Sequence, residues 1–331
     1  MATIEFPETE RTFPASYNTL MDIPFRSYVN DELPAATPGH LNWMSGRGLL
    51  SWPDGVREYC SWRGPELGAR WFPSARRPDL QLGMDVFGWL MVLDDSFDSL
   101  DLTPDDARRT VAQLEAVVHR PPGVTPPDGP AVVTAFADLW DRECVSMSPQ
   151  WRRRAVVNWE EYFVCFVAET TNRFTSAELD IEEYLVLRDK SGIMYPLLDA
   201  IERIEGCELP DTVLAAEPVR QMRAACVWLC NIIQDVLSFE REQANGDLHN
   251  LVLVVEQQFG YGRQRAIDEI RNMIDEHVQQ FLAAEARVPA LLAELELAEE
   301  LAEHLRTYVT TMRLQIRATD EWCRTSSRYS A

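Results

Sequence analysis

The sequence predicts an all-α fold, arranged as a single helical-bundle domain over residues 1–331. Apolar residues recur at the helical repeat, and no segment of useful length alternates with the period of a strand. Start and stop signals punctuate the chain at helix-length intervals. Apolar residues make up 46%, enough for a sizeable core, and no internal repeat divides them.

The first 35 residues, rich in Pro and aromatics, are expected to wrap the surface of the bundle. Residues 79–97, DLQLGMDVFGWLMVLDDSF, are apolar almost all round, as in a buried helix. Thr103–Pro104 opens the next helix, which ends near His119. PPGVTPPDGP (121–130) is a loop by composition, too short to mark a domain boundary. Residues 131–147 and 150–174 are two more helices. The second carries Val156, Trp159, Phe163, Phe166 and Val167 on one face. Residues 180–188 and 191–205 form a helix pair broken near Ser191–Gly192. A long helix over 217–243 is stopped by Asn245–Gly246. Residues 249–259, 263–286 and 290–325 complete a bundle of ten or more helices.

The formal net charge of −22 argues against nucleic acid and anionic membrane as partners. Seven cysteines, with no CxxC pair, favour reduced thiols in a cytoplasmic protein over a disulfide or zinc framework. The acidic N-terminus lacks the apolar core of a signal peptide. No apolar run approaches the roughly 18 residues of a membrane span.

Two polar clusters interrupt apolar helices. The helix at 79–97 ends in Asp94-Asp95-Ser96-Phe97-Asp98, with Asp94 and Asp98 on one face. Mutual repulsion and the helix dipole both disfavour acids there. The cluster reads either as a solvated helix end or as a site for a hard cation such as Mg²⁺, which takes oxygen ligands and bridges to phosphates. In WLCNIIQDVLSFERE (228–242), Gln234, Ser238 and Glu242 fall at i, i+4 and i+8 and share a face. Asn231 and Asp235 lie close to it. An amide oxygen, a hydroxyl and a carboxylate make a hard-oxygen chelate, although such a face can also bond to neighbouring helices. Arg241 sits beside Glu242 and could meet an anion.

These two stripes together resemble the class I terpene synthases of bacteria. Asp94, Asp95 and Asp98 match the family's DDxxD. Asp235, Ser238, Arg241 and Glu242 match its N-D-x-x-S-x-x-x-E, with Gln234 where the family has Asn. Arg188 stands 46 residues before Gln234, followed by Ser191 and Gly192 at the family's linker and effector places. SSRYSA supplies the terminal pair, Arg328 and Tyr329, with Trp322 six residues upstream.

The resemblance implies a single class I terpenoid synthase α-helical domain, with residues 326–331 as its Arg-Tyr segment. It implies a lyase that ionises a linear prenyl diphosphate with three Mg²⁺ ions and cyclises the carbocation. Farnesyl diphosphate is the expected substrate, and geranylgeranyl diphosphate the alternative. Asp94, Asp98, Gln234, Ser238 and Glu242 would bind metal, with Asn231 a rival to Gln234. Arg188, Arg241, Arg328 and Tyr329 would grip diphosphate, and Arg188, Ser191 and Gly192 would trigger ionisation. At Gly192 the missing side chain is expected to let substrate approach. The cavity must be apolar, since a carbocation reacts with any good nucleophile, and aromatic faces stabilise it without attacking. Phe87, Trp89, Phe163, Phe166 and Trp322 are the candidate wall residues. A chain-elongating prenyltransferase would carry a second DDxxD where QDVLSFERE stands. A non-catalytic helical binding protein would be marked by lost metal ligands, and Gln234 is the one suspicious position. Homodimers are common in related enzymes.

Overall fold

The computed structural model describes residues 17–329 except 100, 122–123, 125–128 and 248. Fifteen helices and a terminal 3₁₀ turn make up its regular structure, with no strand among the described residues. The expected wrapping by residues 1–35 falls outside the described residues up to 16. From Tyr17 onward the segment lies on the bundle. Tyr17 packs edge-on against Phe239, and the Thr19 carbonyl accepts from Arg324 at 2.8 Å. Most of the expected 121–130 loop likewise lies outside the described residues.

Three helices come first: α1 (Leu33–Gly46), α2 (Gly55–Ser61) and α3 (Gly64–Trp71). The sequence reading assigned no element over 36–78. α1 carries an internal Pro38, and α2 and α3 are each entered through a left-handed residue, Asp54 and Arg63. Short helices with such breaks leave little periodic signal.

α4 (Asp79–Phe97) has the predicted bounds and is buried on nearly every side, as its composition requires. α5 (Pro104–Val118) opens on a capping box between Thr103 and Asp106, with Pro104 at its first turn. α6 (Ala131–Glu143) and α7 (Pro149–Thr175) follow, the latter capped by Ser148. α8 (Ile181–Ser191) has a capping box of Asp180 and Glu183 and stops at Gly192, where the break was expected. α9 (Met194–Ile204) begins after Ile193, whose φ of 62° is left-handed. A single turn, α10 (Asp211–Leu214), leads into α11 (Glu217–Ala244).

α12 (Leu251–Phe259), capped by Asn250, and α13 (Arg263–Glu285) come next. The expected helix at 290–325 is two helices, α14 (Val288–Glu294) and α15 (Glu299–Thr325). The chain turns between them at Glu296, which has a φ of 48°.

α11 runs through the middle of the bundle, packed against α13 and α15, while α4 lies against α3 and α1. By length and composition α11 is apolar enough to cross a membrane, contrary to the sequence reading. However, 78% of its most apolar window is buried among the other helices. All seven cysteines are free thiols, in keeping with the expected lack of disulfides.

Candidate active site

The C-terminal end of α4 and the later turns of α11 face each other across one end of the bundle. α8, the break before α9, and the 3₁₀ turn Ser327–Tyr329 fill the sides. Two connected spaces result. An apolar cavity lies under Asp94, Arg188, Gln234, Arg328 and Tyr329. A polar chamber beside it is bounded by Asp98, Glu169, Arg173, Arg241, Glu242 and His249.

On α4 the first wall is set by helical geometry. Phe87, Leu90, Met91 and Asp94 repeat at i, i+3, i+4 and i+7 and all line the cavity. The carboxylates of Asp94, Asp95 and Asp98 offer oxygens within 4.8 Å of one another, a spacing one divalent cation could span. Arg173 on α7 donates to the carbonyl of Phe97 at 2.6 Å, tying down the helix end beside Asp98. Burial, then the charges of Asp94, Asp247 and Asp95, push the Asp98 carboxyl up to about 8. Asp98 is exposed, and solvent screening takes back a share of that shift. Asp94, with its side chain 51% exposed to the open mouth, is raised in the same direction by the surrounding protein and opposed by Arg328.

The second wall is on α11. Glu242 is raised to about 7 by burial and by Asp235 and Asp247. Asn250 holds it, donating to Oε2 at 2.7 Å. Ser238 Oγ is buried beside Glu242, whose carboxyl it draws down against burial, and among the described residues it makes no hydrogen bond of good geometry, so its oxygen can serve an ion. Gln234 projects between the two arms of the site: Arg188 donates to its Oε1 at 3.4 Å, and its Nε2 donates to the Tyr329 hydroxyl at 3.1 Å. These oxygens are the hard donors that a magnesium-like ion requires.

Asp235 and Asn231 have other tasks. Asp235 is fully buried and accepts from the Tyr184 hydroxyl and from Leu251 N at 3.0 Å. It also pairs with Arg188 at 2.8 Å. Asn231 spends its amide nitrogen on the Arg188 carbonyl at 2.8 Å. Burial works against the Arg188 charge, but Asp235, Tyr184, Glu242 and Glu169 together outweigh it and keep the guanidinium protonated. Its Nε is buried without a partner among the described residues. Arg328 and Arg241 both pair with Asp95, the former through two bonds at 2.8 and 2.9 Å and the latter at 3.1 Å. Cationic groups are thus concentrated directly above the apolar cavity.

The sequence-predicted wall residues divide. Phe87 and Trp322 line the cavity, as do Ser191 and Gly192. Trp89 does not. Two residues turn a helix by about 200°, so Trp89 points away from Phe87, stacks on Phe136 at 4.7 Å and donates to the Val132 carbonyl. Phe163 joins the same aromatic cluster with Phe136 and Trp159. Phe166 stacks on Phe97 at 4.2 Å and borders the polar chamber instead. Trp71 and Leu67 from α3, Tyr162 from α7 and Met194 from α9 complete the cavity. Sequence reasoning missed them. Trp71 lay in a stretch without a periodic signal, and the spacing from Trp159 and Phe166 on one helix was the only hint for Tyr162.

Known proteins resemble this chain in sequence and in fold. A (−)-β-caryophyllene synthase of Saccharothrix espanaensis, described as cyclising (2E,6E)-farnesyl diphosphate, is 32% identical over 95% of this chain and 89% of its own. A pentalenene synthase of Streptomyces avermitilis is 31% identical over 93% of this chain and 92% of its own. Among solved structures, an α-eudesmol synthase superposes with a TM-score of 0.84 at 29% identity, covering 92% of this chain and 98% of its own. The linalool/nerolidol synthase of Streptomyces clavuligerus has a TM-score of 0.84 at 27% identity, covering 92% and 100%. Residues 85–280, which include both acidic walls, match the family described as terpene synthase family 2, C-terminal metal binding. With relatives of this similarity along almost its whole length, the chain belongs to that terpene synthase family.

Proposed function

We propose that this protein ionises farnesyl diphosphate and cyclises the resulting carbocation to a sesquiterpene, releasing diphosphate. The observation that carries the reading is the stacking of two layers. Two facing oxygen-rich walls and three arginines sit directly over a cavity lined by Trp71, Phe87, Met91, Tyr162 and Trp322. The hydrolytic risk to a cation explains why the lower layer is aromatic and apolar. The farnesyl diphosphate cyclisation described for the caryophyllene synthase relative supports the C15 substrate.

In this reading Asp94 and Asp98 bind metal from one wall, and Gln234, Ser238 and Glu242 from the other, with three Mg²⁺ ions in all. Asn231 is set aside as a ligand because its Oδ1, the atom that could bind a cation, is turned toward Gly192 while its Nδ2 donates to the Arg188 carbonyl. Bound Mg²⁺ would supply Lewis-acid charge to the leaving diphosphate. The chain's own part is to hold and pull that anion. Arg188, Arg241 and Arg328 donate charge-assisted hydrogen bonds, and Tyr329 donates a phenolic one. For Arg241 and Arg328 this means exchanging Asp95 for phosphate oxygens. As the C–O bond breaks, negative charge grows on the diphosphate among these fixed donors, and the allylic cation is left against the aromatic faces. Ser191 and Gly192 set the backbone at the break where the reacting carbon lies. The enzyme works in the cytoplasm.

The test is incubation with Mg²⁺ and C10, C15 or C20 prenyl diphosphates, followed by gas chromatography–mass spectrometry of extracts. Cyclic C15 products from the C15 substrate are expected. Cyclic products from the C20 substrate alone would replace the sesquiterpene reading with a diterpene one. Longer diphosphates would replace it with chain elongation, and no turnover with any substrate would refute it.

A further inference from the structure

We infer that Asn231 is a positioning residue that locks the α8–α9 break to the acidic wall of α11, and that its side chain is the reason residue 192 must be glycine. The inference deepens the proposed function and rests on it for its catalytic consequence.

Asn231 is 3% exposed and lies one turn before Gln234. It lines the cavity, with its Oδ1 turned toward Gly192. Two bonds run in opposite directions between it and Arg188. Asn231 Nδ2 donates to the Arg188 carbonyl at 2.8 Å, and Arg188 Nη2 donates to the Asn231 carbonyl at 3.3 Å. The first of these matters because α8 ends three residues later. Carbonyls in the last turn of a helix lose their intrahelical partners. The remaining helical bond to the Arg188 carbonyl, from Gly192 N, is stretched to 3.4 Å. Asn231 therefore supplies the strong donor that the break withdraws.

Space gives an independent observation. A β-carbon placed on Gly192 would lie 1.9 Å from Asn231 Oδ1, 2.3 Å from Cγ and 2.5 Å from Nδ2. The Asn231 amide fills the volume a side chain would need. Conformation does not explain the glycine, because Gly192 has φ −76° and ψ 7°, which any L-residue can adopt. The unusual backbone is at the next residue. Ile193 is β-branched yet has φ 62°, a left-handed geometry that such residues rarely take. A costly turn of this kind persists when its surroundings over-determine it. The Asn231 clamp on one side and α9 on the other do this. The Asn231 amide thus gives the glycine a cause inside the protein, beside its place in the cavity lining.

For catalysis, the clamp fixes both ends of Arg188. Its side chain is held by Asp235 and its carbonyl by Asn231, so the guanidinium faces the diphosphate site from a rigid base.

A double-mutant cycle tests this with Gly192→Ala, Asn231→Ala and the pair. The melting temperature without metal or substrate is the first readout, and binding of inorganic diphosphate with Mg²⁺, by calorimetry, is the second. Gly192→Ala is expected to lower the melting temperature in the native background and to cost little more in the Asn231→Ala background. Equal losses in both backgrounds would overturn the steric claim. If Gly192→Ala alone does not yield folded protein, recovery of the folded double variant is the same rescue, and failure of both overturns it. Asn231→Ala is expected to weaken diphosphate binding about tenfold, the scale of one lost hydrogen bond. An unchanged Kd would overturn the positioning role. Because the melting cycle uses no substrate, it can succeed even if the assignment as a sesquiterpene cyclase fails.

Discussion

Arg328 closes a two-pronged ion pair on Asp95, with Nη1 2.9 Å from one carboxylate oxygen and Nη2 2.8 Å from the other. The pair joins the chain's terminal turn to the acidic end of α4 across 233 residues of sequence. It engages the middle carboxylate of the motif more fully than its neighbours. Arg328 reaches Asp94 through a single contact at 3.2 Å, and Asp98 is turned to the polar chamber.

Asp94→Ala and Glu242→Ala should therefore each cut turnover by on the order of a thousandfold, the scale of several kcal/mol of lost charge stabilisation. Circular dichroism should show both variants folded, since neither side chain is part of the apolar core. A folded variant with a near-native rate would refute the assignment of its residue as a metal ligand.

Gln234 offers a sharper discrimination. Its amide lies between Arg188 and Tyr329 and has an oxygen available on the same helical face as Ser238 and Glu242. Gln234→Asn should keep turnover, and Gln234→Leu should lose about a hundredfold. Equal activity in the two variants would show that residue 234 contributes no oxygen to the metal.

Asn250 does two jobs with one side chain. It caps α12 by accepting from Val252 N at 2.9 Å, and it ties down α11 by donating to the Asp235 carbonyl at 2.8 Å and to Glu242. Asn250→Ala should lower stability by about 1–2 kcal/mol and raise the Mg²⁺ concentration needed for half-maximal rate. A melting shift with an unaltered Mg²⁺ requirement would reduce Asn250 to a cap alone.

The pH dependence has a definite sign. Asp98 is raised to about 8 and Glu242 to about 7, above the ordinary carboxyl values near 4. Between those limits the folded protein binds protons that the unfolded chain does not. Their contribution to stability is full below about pH 4 and is lost as pH rises through 7 and 8. In the proposed site, metal binding must expel these protons. Titration of Mg²⁺ with diphosphate at pH 7, in two buffers of different ionisation heat, should show net proton release. Identical heats in both buffers would rule out this coupling.

The aromatic residues give a contrasting pair. Phe87→Ala enlarges the cavity wall and should change the ratio of products. Trp89→Phe, at a residue stacked on Phe136 behind that wall, should lower the melting temperature and leave the ratio unchanged. An altered product ratio in Trp89→Phe would mean that the wall is not rigid.

By itself the sequence determined what local chemistry dictates. The periods, caps and breaks of α4, α5, α8 and α11 are readable because a helix start or a buried stripe depends on residues three or four apart. The two acidic stripes were legible for the same reason. Tertiary structure alone decided which groups meet across the bundle. Asp235 and Asn231 sit in the same polar run as Gln234, yet their partners, Tyr184 and the carbonyl of Arg188, come from α8. Trp89 and Phe87 are equally apolar and two residues apart, and only the packing of α4 between α3 and α6 sends one to the cavity and the other to the core. Burial and partnership are set by contacts between segments far apart in sequence, and one helix's pattern does not contain its neighbour's.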